Sequence, residues 1–206
     1  MYKVSTILPS FLEHYDGSAS DRQAKFIRAV DSWTKQTHAE RELIIVSDGC
    51  DKTCNIVESN YSGNSMIKLV RIKKQRMFSG NVRQAGLEAA TGEVVCYLDS
   101  DDYFNPSHVS VIAFRMFETE LDWVYYNDYM KISSKESVTR NVSLHAGSAG
   151  TSSIAHKRSL AADWSGCDGY GHDWVFIERL KKASSRFDKI YGCGYVVCHT
   201  PNGIDN

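Results

Sequence analysis

At 206 residues with a net charge of −1, 42% hydrophobic and 24% charged, the chain has an ordinary globular composition and enough length for one sizeable core. The near-neutral charge excludes the basic field that nucleic acid or anionic lipid attracts, and the longest apolar runs are strand-sized, too short to span a membrane. Residues 1–20 lack the basic-then-apolar layout of a secretory signal, and the six cysteines form no CxxC pair, so reduced thiols in a cytoplasmic protein are expected.

The first run, KVSTIL (3–8), is a strand. In DRQAKFIRAVDSWTKQ (21–36), Phe26, Ile27, Val30 and Trp33 recur at helical spacing, with Asp21 at the N-cap position. Strands follow at ELIIVS (42–47), IKLVRI (67–72) and EVVCYL (93–98). Helices are predicted at CNIVESNY (54–61) and GNVRQAGLEAATG (80–92), the second closed by Gly92. The order β-α-β-α-β-α-β predicts an α/β fold with a parallel sheet, its strands buried on both faces. Beyond it, DWVYYNDYMKI (122–132) reads as one long strand and GHDWVFIERLKKA (171–183) as an amphipathic helix. YGCGYVVC (191–198) reads as a glycine-bounded strand before a polar tail. This half breaks the alternation, so a symmetric doubly wound sheet is not expected. The basic run RIKKQR (71–76) reads as a solvated loop.

In parallel sheets ligands bind beyond the carboxyl ends of the strands. Three polar stretches stand there: PSFLE, SDGCDKT and DSDD. The last crowds Asp99, Asp101 and Asp102 behind a buried strand, so either their pKa values rise or a cation sits among them. Hard carboxylate ligands favour Mg²⁺ or Mn²⁺. With the Asp48-Gly49 turn and Arg83, the set suits a metal-bridged diphosphate beside a base or ribose. The patterns GxxxxGK[ST] and GxGxxG are absent, which argues against a P-loop nucleotidase and a dinucleotide enzyme.

From STILPSF through ELIIVSDGCDKT, GNVRQAGLEAATGEVVCYLDSDDYFNP and GTSSIAHKRS to GYGHDWVFIERL, the chain resembles a GT-A glycosyltransferase of the inverting family-2 type. The resemblance implies one GT-A domain over residues 1–206, with a Rossmann-like, nucleotide-sugar-binding half (1–104), a mixed central sheet and an irregular acceptor-binding half (105–206). It implies metal-dependent, inverting transfer of a sugar from a UDP-sugar to a hydroxyl of a glycan or glycolipid, with peripheral contact at the inner face of the membrane for a lipid-linked acceptor. Asp48 would read the base, and the backbone around Pro9, Ser10 and Phe11 would wall its pocket. Arg83 would lie near the base or diphosphate, Asp99 near the ribose, and Asp101 on Mn²⁺ or Mg²⁺. Asp173 would be the general base, and His199 a late ligand to metal or diphosphate.

The chain departs from the family pattern in four places. Leu12 stands where the family carries Asn, residues 13–21 form a polar insertion, VSDGCDK keeps only the second acid of its motif, and His172-Asp173 replaces a pair of acids. Two other functions fit parts of the pattern: a sugar-phosphate nucleotidyltransferase, disfavoured because no Gly-rich, Arg-bearing loop follows the first strand, and a non-catalytic nucleotide-sugar or glycan-binding module.

Overall fold

The structure, a computed structural model, describes residues 1–76, 78–133 and 135–198. Strands β1 (Val4–Ser10), β2 (Arg41–Asp48), β3 (Ile67–Ile72) and β4 (Val94–Tyr97) alternate with helices α1 (Arg22–Thr34), α2 (Asp51–Tyr61) and α3 (Gly80–Ala89), in the order the sequence predicts. β1 pairs in parallel with both β2 and β4, and β2 in parallel with β3, so Ile7 lies between Ile44 and Tyr97. Val4, Ile7, Leu8 and residues 43–46 are wholly buried, which is why these strands read as unbroken apolar runs. Each such side chain contributes roughly 1.5–3 kcal/mol by leaving water. Trp33 brings α1 onto this core, its indole N–H donating to Thr6 Oγ1 at 3.1 Å. Asp21 occupies the N-cap position of α1 without a capping bond, and its carboxylate pairs with Lys25 at 3.3 Å instead.

The second half supplies β5 (Tyr103–Phe104), α4 (His108–Thr119), β6 (Trp123–Tyr126), β7 (Asp128–Lys131), β8 (Ser137–Arg140), β9 (Ile154–Lys157), α5 (His172–Ala183), β10 (Phe187–Ile190) and β11 (Tyr195–Val197). The main sheet runs β10-β6-β9-β4-β1-β2-β3, and a small sheet runs β5-β11-β7-β8. β9 is antiparallel to both its neighbours, making the main sheet mixed.

The single strand expected over 122–132 is two strands in different sheets. At the junction, the Asn127 N–H donates to the Ile190 carbonyl (3.2 Å), and its Oδ1 accepts from the Val142 N–H (3.0 Å). Local hydrophobicity is continuous across the junction, so only the change of pairing partner divides the run. α4 has no counterpart among the expected elements. Phe114 and Phe117 lie on its exposed side, 55% and 46% accessible, which blurs its apolar stripe.

Candidate active site

β1 and β2 end side by side, at Ser10 and Asp48. The Asp48 carboxylate is buried, and both its oxygens are engaged. Oδ2 accepts from the Lys74 ammonium at 2.5 Å, and Oδ1 from the Gln75 N–H at 2.6 Å. The same ammonium lies 4.2 Å from the centroid of the Phe11 ring. Gly49 makes this possible: its φ is +61°, and a Cβ there would lie 2.6 Å from the Lys74 backbone nitrogen. The 71–76 stretch is therefore not merely a solvated loop, because Asp48 draws Lys74 and Gln75 into the pocket. Pro9, Ser10, Phe11 and Asp48 come together here, with Ser10 Oγ also 2.9 Å from Thr53 Oγ1. Each Asp48 oxygen keeps acceptor capacity for one further donor.

The three acids behind β4 have different fates. Asp99 Oδ1 accepts from Arg83 Nη2 at 2.9 Å, so its counterion comes from the protein itself. Asp102 is turned into the fold, accepting from the Tyr195 hydroxyl (2.8 Å) and the Cys198 N–H (2.7 Å). Asp101 receives Arg28 on its carbonyl at 2.5 Å, while its carboxylate makes no hydrogen bond among the described residues. Burial raises the Asp99 carboxyl; Arg83 opposes the rise, and the charges of Asp101 and Asp173 add to it. Burial also pushes Asp102 well up, reinforced by Asp101 and Asp99.

No three His, Cys, Asp or Glu side chains converge as a complete metal cage among the described residues. Mg²⁺ and Mn²⁺ beside a diphosphate need only one or two carboxylates, the remaining positions going to phosphate and water. An unengaged Asp101 carboxylate in a crowded acidic turn fits that mode. His199 lies outside the described residues.

Arg83 joins this turn to α5. It rises from α3, whose first turn is capped by Ser79 Oγ accepting from the Asn81 N–H at 3.2 Å. The buried guanidinium lies 5.4 Å from the Trp164 ring centroid. Nη1 is 3.1 Å from His172 Nε2, and Nη2 donates to Thr151 Oγ1 at 3.4 Å. His172 Nδ1 faces the Gly169 carbonyl at 3.0 Å. A carbonyl only accepts, so Nδ1 carries a proton, while Nε2 faces both Arg83 Nη1 and the Asp173 carboxylate.

Asp173, in the first turn of α5, has Oδ1 2.8 Å from His172 Nε2, out of line for a hydrogen bond. Its Oδ2 would lie 3.1 Å from a Cβ on Gly150, so a small residue there leaves room for the carboxylate. Burial alone would raise the Asp173 carboxyl. The His172 ring, the positive Arg83 and the Thr151 N–H together outweigh burial and hold the carboxyl below its usual range.

Sequence reasoning gave no role to Lys74, Thr151 or Trp164, although Thr151 lies within the quoted stretch GTSSIAHKRS and Lys74 within RIKKQR. Trp164 also begins a buried chain beneath the site. Its indole N–H donates to the Tyr97 hydroxyl (2.9 Å), which donates to His156 Nε2 (2.8 Å), while His156 Nδ1 donates to the Lys157 carbonyl (3.0 Å).

Residues 8–179 match the family model described as glycosyl transferase family 2. The chain is 28% identical over 126 residues to the UDP-Glc:alpha-D-GlcNAc-diphosphoundecaprenol beta-1,3-glucosyltransferase of Escherichia coli, covering 61% of this chain and 46% of that protein. It is 31% identical over 109 residues to the poly(ribitol-phosphate) beta-N-acetylglucosaminyltransferase of Staphylococcus aureus, covering 51% of this chain and 17% of that one. The crystal structure of residues 1–349 of that S. aureus enzyme, TarS, in complex with UDP superposes with a TM-score of 0.76 at 20% identity. That superposition covers 97% of this chain and 61% of the TarS fragment. The chain thus spans less than two thirds of the length of each of these proteins.

Proposed function

The chain belongs to glycosyl transferase family 2 and has the GT-A fold, and from that premise we propose that it transfers a sugar, with inversion, from a UDP-sugar to a hydroxyl of a glycan or glycolipid. One observation carries this reading. A single buried guanidinium, Arg83, bonds both to Asp99 behind β4 and to His172 beside Asp173, so the acidic turn and the candidate base share one site.

Residues 1–104 would hold the donor and residues 105–206 the acceptor, within one domain. Uracil would stack at Phe11 and give its imide N–H to Asp48, whose place is held by Lys74 and Gln75. Pro9 and Ser10 would wall the same pocket. Arg83 would hold Asp99 toward the ribose and add positive charge near the diphosphate. Asp101, with His199, would hold a Mn²⁺ or Mg²⁺ ion, which when bound supplies neutralisation of the leaving diphosphate. Because that leaving group needs no proton, one base suffices. Asp173, kept ionised, accepts the proton of the acceptor hydroxyl as that oxygen attacks the face of the sugar opposite the diphosphate.

No helix of the described residues is long and apolar enough to cross a membrane. The E. coli relative's name specifies a diphosphoundecaprenol-linked acceptor. A comparable acceptor here would be met by peripheral contact at the cytoplasmic face.

The test is a screen of UDP-hexoses and UDP-N-acetylhexosamines for UDP release, with Mn²⁺ and with chelator, followed by NMR assignment of the product anomer. Retention of anomeric configuration, or release of pyrophosphate instead of UDP, would exclude this mechanism.

A further inference from the structure

Phe78 and Tyr170 form an exposed aromatic lip beside the candidate base, and nothing described above uses them. Tyr170 is 98% accessible and Phe78 48%, with their rings edge-to-face at 6.0 Å. The Phe78 ring lies over the His172 ring at 6.1 Å and 26°, and His172 Nε2 is 2.8 Å from the Asp173 carboxylate. The platform is therefore one ring away from Asp173.

The backbone holds both aromatics outward. Phe78 has φ +56°, a left-handed conformation that a bulky residue rarely adopts. Tyr170 stands between Gly169 (φ +78°) and Gly171 (φ +93°). The two loops are clasped together just behind the rings, where the Gly80 N–H donates to the Cys167 carbonyl at 2.7 Å. A Cβ on Gly80 would meet the Trp164 carbonyl at 2.4 Å, so the clasp admits no side chain.

Apolar surface left open at a site marks a binding face. Neutral aromatic rings with the acidic Asp168 close to Tyr170 in the chain are ill suited to anionic lipid. They suit a sugar, whose C–H face packs on an aromatic face while its hydroxyls bond to neighbouring carboxylates. The base pocket has its own ring in Phe11. The geometry points to Tyr170, with Phe78 reaching over from the donor half through the Gly80–Cys167 clasp, as an acceptor subsite, stacking on a pyranose ring of the glycan and presenting its hydroxyl to Asp173. This rests on the glycosyltransferase reading. An open-chain polyol has no flat C–H face, so the subsite selects ring-form acceptors.

Saturation-transfer NMR tests this with methyl β-D-glucopyranoside and cellotriose as probes and ribitol as the open-chain control, alongside calorimetry of UDP with Mn²⁺. Saturation should reach the axial ring protons of the pyranosides and not ribitol. It should fall at least fivefold in Tyr170→Ala and in Phe78→Gly, which relieves rather than creates backbone strain, and it should survive in Tyr170→Trp. UDP affinity should stay within twofold in all three. A wild-type protein giving no pyranoside signal, or an equal one with ribitol, overturns the subsite. Loss of UDP affinity in Phe78→Gly also overturns it, by assigning that ring to the donor pocket. If the wild type binds pyranosides but not UDP, the glycosyltransferase reading fails, and with it the role of this face as an acceptor subsite.

Discussion

Replacing Asp173 with Asn separates chemistry from folding at this site. The amide keeps the size of the carboxylate and an oxygen able to accept from the Thr151 N–H, so it fits the room that Gly150 leaves by having no side chain. Charge balance also survives. Arg83 retains Asp99 at 2.9 Å and still donates to His172, leaving no buried charge without a partner. Stability should therefore change by only about 1 kcal/mol, the scale of a single hydrogen bond. What disappears is the proton acceptor. Loss of a general base costs about 10²–10⁴-fold in turnover, or roughly 2.7–5.5 kcal/mol in barrier. Turnover would be followed by UDP release, donor affinity by calorimetry and stability by urea unfolding. The expected pattern is a collapse of kcat with the UDP Kd and the urea midpoint nearly unchanged. His172→Ala should cost less. If Asp173→Asn keeps a tenth or more of wild-type turnover while His172→Ala loses it, the histidine is the base. If both variants lose UDP affinity together, the head of α5 belongs to the donor pocket and Asp173 is not the base.

Three further outcomes are expected. Asp101→Asn should abolish the metal-dependent part of UDP affinity, and equal affinity with Mn²⁺ and with chelator in the wild type would dismiss the metal site. Gly49→Ala should destabilise the protein by about 1–2 kcal/mol through the left-handed backbone alone and displace Lys74, so an unchanged UDP Kd would show that Lys74 does not shape the pocket. Buried His156 has its pKa lowered to about 4, whereas the unfolded chain protonates near the ordinary value of about 6.5. The unfolded state thus takes up the proton first, and the stability contributed by neutral His156 is lost as pH falls below about 6.5, by about 2 kcal/mol at pH 5. The raised Asp102 carboxyl acts in the opposite direction. The clean measurement is therefore the difference in pH slope between wild type and His156→Gln, and identical slopes would show that His156 is not buried neutral.

The sequence alone was enough to predict the first half of the fold, because strands buried on both faces must be written as continuous apolar runs and the intervening helices as 3.6-residue stripes. It was enough to point to the carboxyl ends of β1, β2 and β4, where Phe11, Asp48 and the acidic turn stand beyond the apolar runs. Tertiary structure decided the rest, because long-range partners leave no local periodicity. Only the folded chain shows that Asp99 has Arg83 as its counterion, that Asp102 is spent on Tyr195 and Cys198, and that, among the described residues, the Asp101 carboxylate finds no hydrogen-bond partner. Likewise, Lys74 belongs to Asp48 by a contact across 26 residues, and the run 122–132 divides because β6 and β7 find partners in different sheets. The residue types were legible in the sequence, but how their charges are paired depends on distances that exist only after folding.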